Sequence, residues 1–264
     1  MPVALSNLSL EECQRLQGIA FDIDDTLTRD GRLEAIGYDA LWKLHQHKLR
    51  LVAVTGRPWG VAHVIAQHWP IDAAVAENGA CWIARSGHTL LEGTLSSNNA
   101  HTQRKLEQLQ HDIKTQLPQV SVAHDHPLRR YDLAFDIGEY IKLPEKDIQR
   151  LKDIIEAHGA ISVRSTVHLH AQFGNWDKAQ GVCHVAKEIF HIDMNAEKSR
   201  WLFIGDSSND AAAFDFFPLS VGVANIEPFL PTLPTPPRYI TMADRGLGFA
   251  ECAHTLLELR KHAG

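Results

Sequence analysis

The chain predicts an α/β fold, a parallel sheet wound with helices and interrupted by an α+β insert. Three observations carry that prediction. Short continuous apolar runs alternate with helical stretches toward both ends of the chain, the pattern of strands and helices wound into a parallel sheet. Three of those runs stop at polar clusters: Asp22-Ile23-Asp24, Thr55-Gly56-Arg57, and Asp206 with Asn209 and Asp210. The middle of the chain changes character, to strands that alternate apolar and polar residues.

The elements follow in order. Ser9-Leu10-Glu11-Glu12 has the form of a capping box and predicts a short helix. Gly18-Ile19-Ala20-Phe21 reads as a buried strand that ends at Asp22, Asp24 and Asp25. Leu33 to Lys48 carries Ile36, Ala40, Leu41 and Leu44 at helical spacing. Leu51 to Val54 is a second strand, and Pro58 suits the first turn of a helix running to about Trp69. Ala73 to Ala76 is a third, and Glu77-Asn78-Gly79-Ala80 after it is a hairpin turn signal.

From about Arg85 the insert begins, with an extended segment from His88 to Thr94. A helix is expected from Asn98 to Leu117, with Leu106, Leu109 and Ile113 on one stripe and Pro118 stopping it. Strands are expected at Val120 to Val122, at Leu133 to Ile137 (half-buried), at Ile161 to Arg164 and at Val167 to Phe173. Pro144 opens a second helix, with Ile148, Leu151, Ile154 and Ile155 inward, and Gly159 closes it. The wound pattern resumes with a helix after Asp177-Lys178, a strand at Trp201 to Ile204 and another at Leu219 to Val223. Pro228, Pro231, Pro234, Pro236 and Pro237 predict a loop, and Phe249 to Leu259 a closing helix. The expected division is a core of residues 1–84 and 174–264 with an insert of 85–173.

Composition narrows the function. At 264 residues, 44% hydrophobic and 22% charged, the chain is long and apolar enough for a substantial core. A net charge of -6, from 26 Lys+Arg against 32 Asp+Glu, argues against nucleic acid or an anionic membrane as the main partner. No apolar run approaches the roughly 20 residues of a membrane span, and no signal peptide is evident at Met1 to Ser6. Cys13, Cys81, Cys183 and Cys252 form no CxxC pair, so reduced thiols and a cytoplasmic location are expected. The HxH pairs His45/His47, His124/His126 and His168/His170 have no Cys or third His at ligand spacing, which argues against a transition-metal site.

In a parallel wound sheet, ligands bind beyond the carboxyl ends of the strands. One sheet would therefore gather the three polar clusters into one site. Asp22 and Asp24, two apart at a strand end, leave on the same side in extended geometry. Buried acids need a cation beside them, and a hard, oxygen-seeking ion such as Mg²⁺ answers that need. Several carboxylates, a hydroxyl next to a glycine and one lysine suit phosphoryl transfer with an acidic nucleophile. Lys178, just inside a helix capped by Asp177, opposes the helix dipole and calls for a nearby anion.

These residues resemble a known superfamily. Asp22-x-Asp24-x-Thr26, Thr55-Gly56-Arg57, Lys178 and Gly205-Asp206-Ser207-Ser208-Asn209-Asp210 are similar, in order, to the four motifs of the haloacid dehalogenase-like (HAD) hydrolases. The placement of the insert between the second and third motifs resembles subfamily IIB, which includes sugar phosphatases and phosphomannomutases. The resemblance implies a Rossmann-like core with an α+β cap. It implies Asp22 as nucleophile and Asp24 as general acid and base. It implies Mg²⁺ held by the Asp22 carboxylate, the Asp24 carbonyl and Asp206. Thr55, Gly56, Lys178 and Asn209 would hold the phosphoryl group, with Asp210 in support. Asp25 stands where many members have Gly.

Specificity is expected from the cap. His168, His170 and Gln172 share one strand face, as do Asp132 and Asp136, and Arg129, Arg130 and Arg164 could pair with a second anionic group. Trp59, Trp82 and Trp176 lie near motifs, where core filling or stacking on a sugar would use them. The expected function is a Mg²⁺-dependent phosphatase of a small phosphorylated metabolite, a sugar phosphate. A phosphomutase and a non-catalytic binding module are the alternatives. Thr55-Gly56-Arg57-Pro58 favours the phosphatase over the mutase, and the complete motif set disfavours the module.

Overall fold

The structure, a computed structural model, describes residues 1–96 and 100–261. The main sheet has nine strands in the order Val3–Ala4, Tyr239–Ile240, Leu219–Gly222, Trp201–Gly205, Gly18–Asp22, Arg50–Val54, Ala73–Ala76, Cys81–Ser86 and Thr89–Thr94. The first seven run parallel and the last two antiparallel. Every residue of Gly18–Asp22 is buried, as a strand covered on both faces requires. Ile19 and Phe21 face the helices Ala35–Gln46, Trp59–His68 and Arg245–Lys261. Ala20 faces the opposite layer, with Val182 and Val185 of Lys178–Phe190 and Phe214 of Ala211–Phe216. This is the expected α/β wound sheet.

The cap is a three-stranded antiparallel sheet in the order Ile161–Arg164, His168–Gln172, Asp132–Asp136. Two helices, Ala100–Gln116 and Glu145–Ala157, cover one face. Leu106, Leu109, Ile113, Leu151 and Ile155 pack there on Leu133, Phe135, Leu169 and Ala171. The other face carries Asp132, Asp136, His168, His170 and Gln172, all buried. Period-two alternation makes that separation unavoidable.

Several expectations are corrected. Ser86-Gly87 is a hairpin tip within the main sheet, because Cys81–Ser86 pairs with both Ala73–Ala76 and Thr89–Thr94. The sheet thus runs past residue 85, and the chain leaves it only beyond Thr94. The strand at Val120 to Val122 reduces to a single bridge between Val122 and Phe135. Asp132–Asp136 is wholly buried, because its polar face lies against the core. Ile36 is 45% exposed, and Gly37 joins Ala40, Leu41 and Leu44 on the inner stripe. Pro58 is the N-cap and Trp59 the first helical residue. The proline-rich stretch holds a 3₁₀ helix, Ala224–Thr232, that includes Pro228 and Pro231; the fixed φ of proline fits that geometry. The predicted helix start at Asn98 lies outside the described residues. The two-residue strands Val3–Ala4 and Tyr239–Ile240 and the small hairpin of Thr28–Arg29 with Arg32–Leu33 are too short to leave a periodic signal.

Candidate active site

Parallel register brings the polar clusters together. Gly18–Asp22 lies between Trp201–Gly205 and Arg50–Val54, with Ile204 beside Phe21 and Val54 beside Asp22. The next residues along, Asp206 and Thr55, therefore flank Asp22. Lys178 Nζ donates to Asp22 Oδ1 at 2.6 Å and to Asp210 Oδ1 at 2.7 Å. Carboxylate oxygens of Asp22, Asp206 and Asp210 lie within 4.8 Å of one another. Asp210 Oδ2 accepts from the Asp206 and Ser207 N–H groups at 2.9 and 3.2 Å. Thr26 Oγ1 lies 3.2 Å from Asp206 Oδ1, and Asn225 Nδ2 lies 3.2 Å from Asp206 Oδ2.

The three carboxylates are buried, and Asp22 and Asp210 share the Lys178 ammonium. Burial, reinforced by Asp210 and Asp24, raises Asp22 to about 7 in spite of Lys178. Burial, with repulsion from Asp22 and Asp210, raises Asp206 well above the carboxylate range. Burial works against the charge of Lys178, but Asp210 and Asp22 more than offset it and hold its pKa above the ordinary lysine value. A cluster with this excess of negative charge, built of hard oxygen donors, fits a divalent cation such as Mg²⁺. The oxygens of Asp210 are already taken by Lys178 and two backbone N–H groups. Asp22 and Asp206 accept at most one hydrogen bond per oxygen, which leaves them lone pairs that could hold a metal.

Thr55 Oγ1 accepts from the Arg57 N–H at 2.9 Å and lies 3.5 Å from Asp24 Oδ2. Asn209 pairs with Ser207 Oγ at 2.9 Å and reaches Asn78 Oδ1 at 3.4 Å. Asp22, Asp24, Gly56, His168, His170 and Asn209 line a cavity of ≈ 10 Å³, room for about one water. It shares Asp24, Thr166 and Val167 with an outer cleft of ≈ 520 Å³ that Arg32, Arg57 and Arg245 also line. The cap is closed down on the core.

Arg57, Glu139 and Glu77 carry this closure, and the sequence reading assigns none of the three a task. Arg57 grips Asp24 with Nε at 3.0 Å and Nη2 at 2.8 Å, and the same Nη2 lies 2.7 Å from Glu139 of the cap. His168 Nε2 lies 2.9 Å from Glu139 Oε2. Glu77, fully buried, accepts backbone N–H groups from Trp59, Arg130, Tyr131 and Asp132. Two of its neighbours explain the turn that holds it. Asn78 has φ 55°, and a Cβ on Gly79 would meet the Asp177 carbonyl at 2.0 Å.

The cap arginines are not arranged as expected. Arg129 is buried, donating to the Gly56 carbonyl at 2.9 Å and to Asp132 at 2.8 Å. Arg130 lies over the Trp59 ring at 3.3 Å, and Arg164 pairs with Glu145. None of the three lines the inner cavity. Trp82 and Trp176 are buried and hydrogen-bonded to His184 and the Glu77 carbonyl, and Trp59 to Glu92, so all three serve packing. His168 and His170 pair with Glu139 and Asp132.

A wound parallel sheet with an α+β cap over a buried carboxylate-lysine cluster defines the class. Residues 19–119 match the family model described as haloacid dehalogenase-like hydrolase. The phosphoglycolate phosphatase of Haloarcula marismortui is 26% identical over 210 residues, which cover 78% of this chain and 83% of that protein. A Thermoplasma acidophilum protein superposes with a TM-score of 0.71 at 19% identity, covering 92% of this chain and 99% of its own. A putative HAD/COF-like hydrolase from Plasmodium vivax gives 0.68 at 17% identity, covering 95% and 100%. The chain is thus similar to the HAD-like hydrolases over residues 19–119 and shares its fold with these structures, a likeness consistent with subfamily IIB. No helix among the described residues is long and apolar enough to cross a membrane.

Proposed function

We propose that the protein is a Mg²⁺-dependent phosphatase of a small phosphorylated metabolite, a sugar phosphate, acting through an aspartyl phosphate on Asp22. The observation that carries this reading is the placement of Asp22. Its carboxylate is held by Lys178 beside Asp206 and lines the inner cavity together with Gly56 and Asn209. Asp22, Asp206 and the Asp24 carbonyl would hold Mg²⁺. Bound there, the ion supplies the positive charge that lets an anionic nucleophile approach an anionic phosphoryl group.

Asp22 attacks phosphorus, and the bond to the ester oxygen breaks. Asp24 gives its proton to the departing oxygen. It then takes a proton from the water that attacks phosphorus, and the bond to Asp22 breaks. Thr55, the Gly56 N–H, Lys178 and Asn209 orient the phosphoryl oxygens, a preorganised electrostatic cradle. Asp24 is gripped by Arg57 here, so the first step requires it to leave that fork and gain a proton. The cap excludes water while the ester is held. The product is free phosphate, not phosphate moved within one sugar.

The test is phosphate release from a panel of sugar phosphates and phosphoglycolate, with wild type and Asp22→Asn. Wild type should turn over, lose activity in EDTA and regain it with Mg²⁺. The variant should fall to background, on the order of 10³-fold or more, while still unfolding in one cooperative transition. Full activity in Asp22→Asn, or turnover indifferent to EDTA, overturns the reading.

A further inference from the structure

The cap's polar face carries a side chain to which the reaction above gives no task. His170 is 1% exposed, and its Nδ1 lies 2.8 Å from Asp132 Oδ2. An ionised carboxylate only accepts, so Nδ1 carries the proton and Nε2 presents a lone pair. That Nε2 has no partner among the described residues. It is aimed at the phosphoryl cradle, since a Cβ on Gly56 would lie 3.0 Å from it. Asn78 is 2% exposed, its Oδ1 would lie 3.2 Å from the same Cβ, and its Nδ2 is likewise without a partner.

The ring is held from behind. Arg129 Nη1 lies 2.8 Å from Asp132 Oδ1 and 2.9 Å from the Gly56 carbonyl. The charge of Asp132 is therefore already balanced, and the imidazole need not be a cation. Burial works the same way and lowers His170 to about 4. A neutral ring with its only proton on Nδ1 cannot donate to a phosphate or carboxylate oxygen. Its Nε2 can accept from a hydroxyl. Unpaired buried polar groups are uncommon in folded proteins, and each calls for an explanation.

We propose that His170 determines specificity by accepting a hydrogen bond from a hydroxyl on the substrate's carbon skeleton, while Asn78 Nδ2 donates to an oxygen of the same molecule. The substrate class is then polyol and sugar monophosphates, in preference to phosphorylated acids such as phosphoglycolate. This rests on the phosphatase reading and deepens it.

The experiment compares kcat/KM for glycerol 1-phosphate, propyl phosphate and phosphoglycolate, in wild type and His170→Phe. Wild type should favour glycerol 1-phosphate by roughly 100-fold over each of the others, since a site built to bond a hydroxyl rejects a molecule without one. His170→Phe should erase most of that preference, so that the three esters fall within a few-fold of one another in the variant. An equal fall on all three esters, or a wild type that does not discriminate, overturns the proposal. Should His170→Phe fail to fold, the wild-type preference decides alone. Ligand-induced melting shifts of Asp22→Asn separate recognition from turnover. A larger shift with glycerol 1-phosphate than with propyl phosphate supports the proposal even if no ester is hydrolysed, and equal shifts sink it.

Discussion

The core site and the cap face bury charge in opposite ways. In the core, Asp22 and Asp210 share Lys178 beside Asp206, and the negative charge of the three carboxylates exceeds what one ammonium can balance. In the cap, buried charges come with partners: Asp132 with Arg129 and His170, Glu139 with His168 and Arg57. Asp136 accepts the N–H groups of Gly138, Glu139 and Tyr140. An unbalanced cluster stores a demand for a cation, whereas a balanced one leaves only neutral hydrogen-bonding capacity to offer a ligand. The difference teaches how labour is divided. On the proposed reading, charge chemistry belongs to the strand ends of the core, and recognition belongs to the cap.

Removing the core's own cation should break this contrast most visibly. Lys178→Met leaves Asp22 and Asp210 buried without their ammonium. A destabilisation of about 3–5 kcal/mol is expected, as for breaking one partner of a buried ion pair. Urea unfolding in the absence of added metal measures it. Adding Asp22→Asn to Lys178→Met should restore part of the loss, because the two changes act on one interaction. Strict additivity would show that the pair is not the origin of the effect.

Arg57 is where the two regions meet, so its loss should sharpen the comparison. It spans Asp24 of the core and Glu139 and Asp125 of the cap. Arg57→Ala should leave the core folded but loosen the cap, with faster amide exchange across Asp125 to Tyr140. Turnover should fall roughly 10- to 100-fold through lost positioning. Unchanged exchange there would show that the closure rests on Glu77 and Arg129 without it.

How much of this is legible in the sequence follows from the same contrast. Asp22, Thr55, Lys178 and Asp206 stand at the ends or starts of strongly patterned elements, and their chemistry restricts residue type. Pattern and residue type together are enough to name them. Glu77 is different: ahead of Asn-Gly it reads as a polar turn, and its four N–H donors come from distant segments. Arg129 has the look of an anion-binding group, yet Asp125 and Asp132 sit at i−4 and i+3 and neutralise it. That spacing is readable in principle. The start of the insert is read too early, near Arg85, because the sheet's antiparallel extension has the same alternation as the cap strands. The polar face of the cap is legible from period two, but its full burial is not, since burial there depends on the core beneath it.

The smallest expected effect lies on the far side of the cap, in a pair that titrates in the ordinary range. His158, just past Glu145–Ala157, places Nε2 2.9 Å from Asp112 Oδ2 on the other cap helix. The hydrogen bond to Asp112, with the Ile154 carbonyl on Nδ1, raises His158 above 6.5. Gln108 and His158 lower Asp112 below 3.8. The sign follows from linkage. The contribution of His158 is complete below its unfolded pKa near 6.5 and is lost as pH rises through its higher folded value. That of Asp112 is complete above 3.8 and is lost as pH falls through its lower folded value. The pair is thus strongest between about pH 4 and 6.5. The effect is modest because both side chains are partly exposed, at 25% and 29%, where solvent screens the pair. His158→Gln should reduce the fall in melting temperature that wild type shows between pH 6 and pH 8, with no change in kcat/KM. An identical pH slope in the variant would show that the pair contributes nothing. A change in kcat/KM would show that charge in the cap's outer layer reaches the core site, against the division of labour drawn from the inner face.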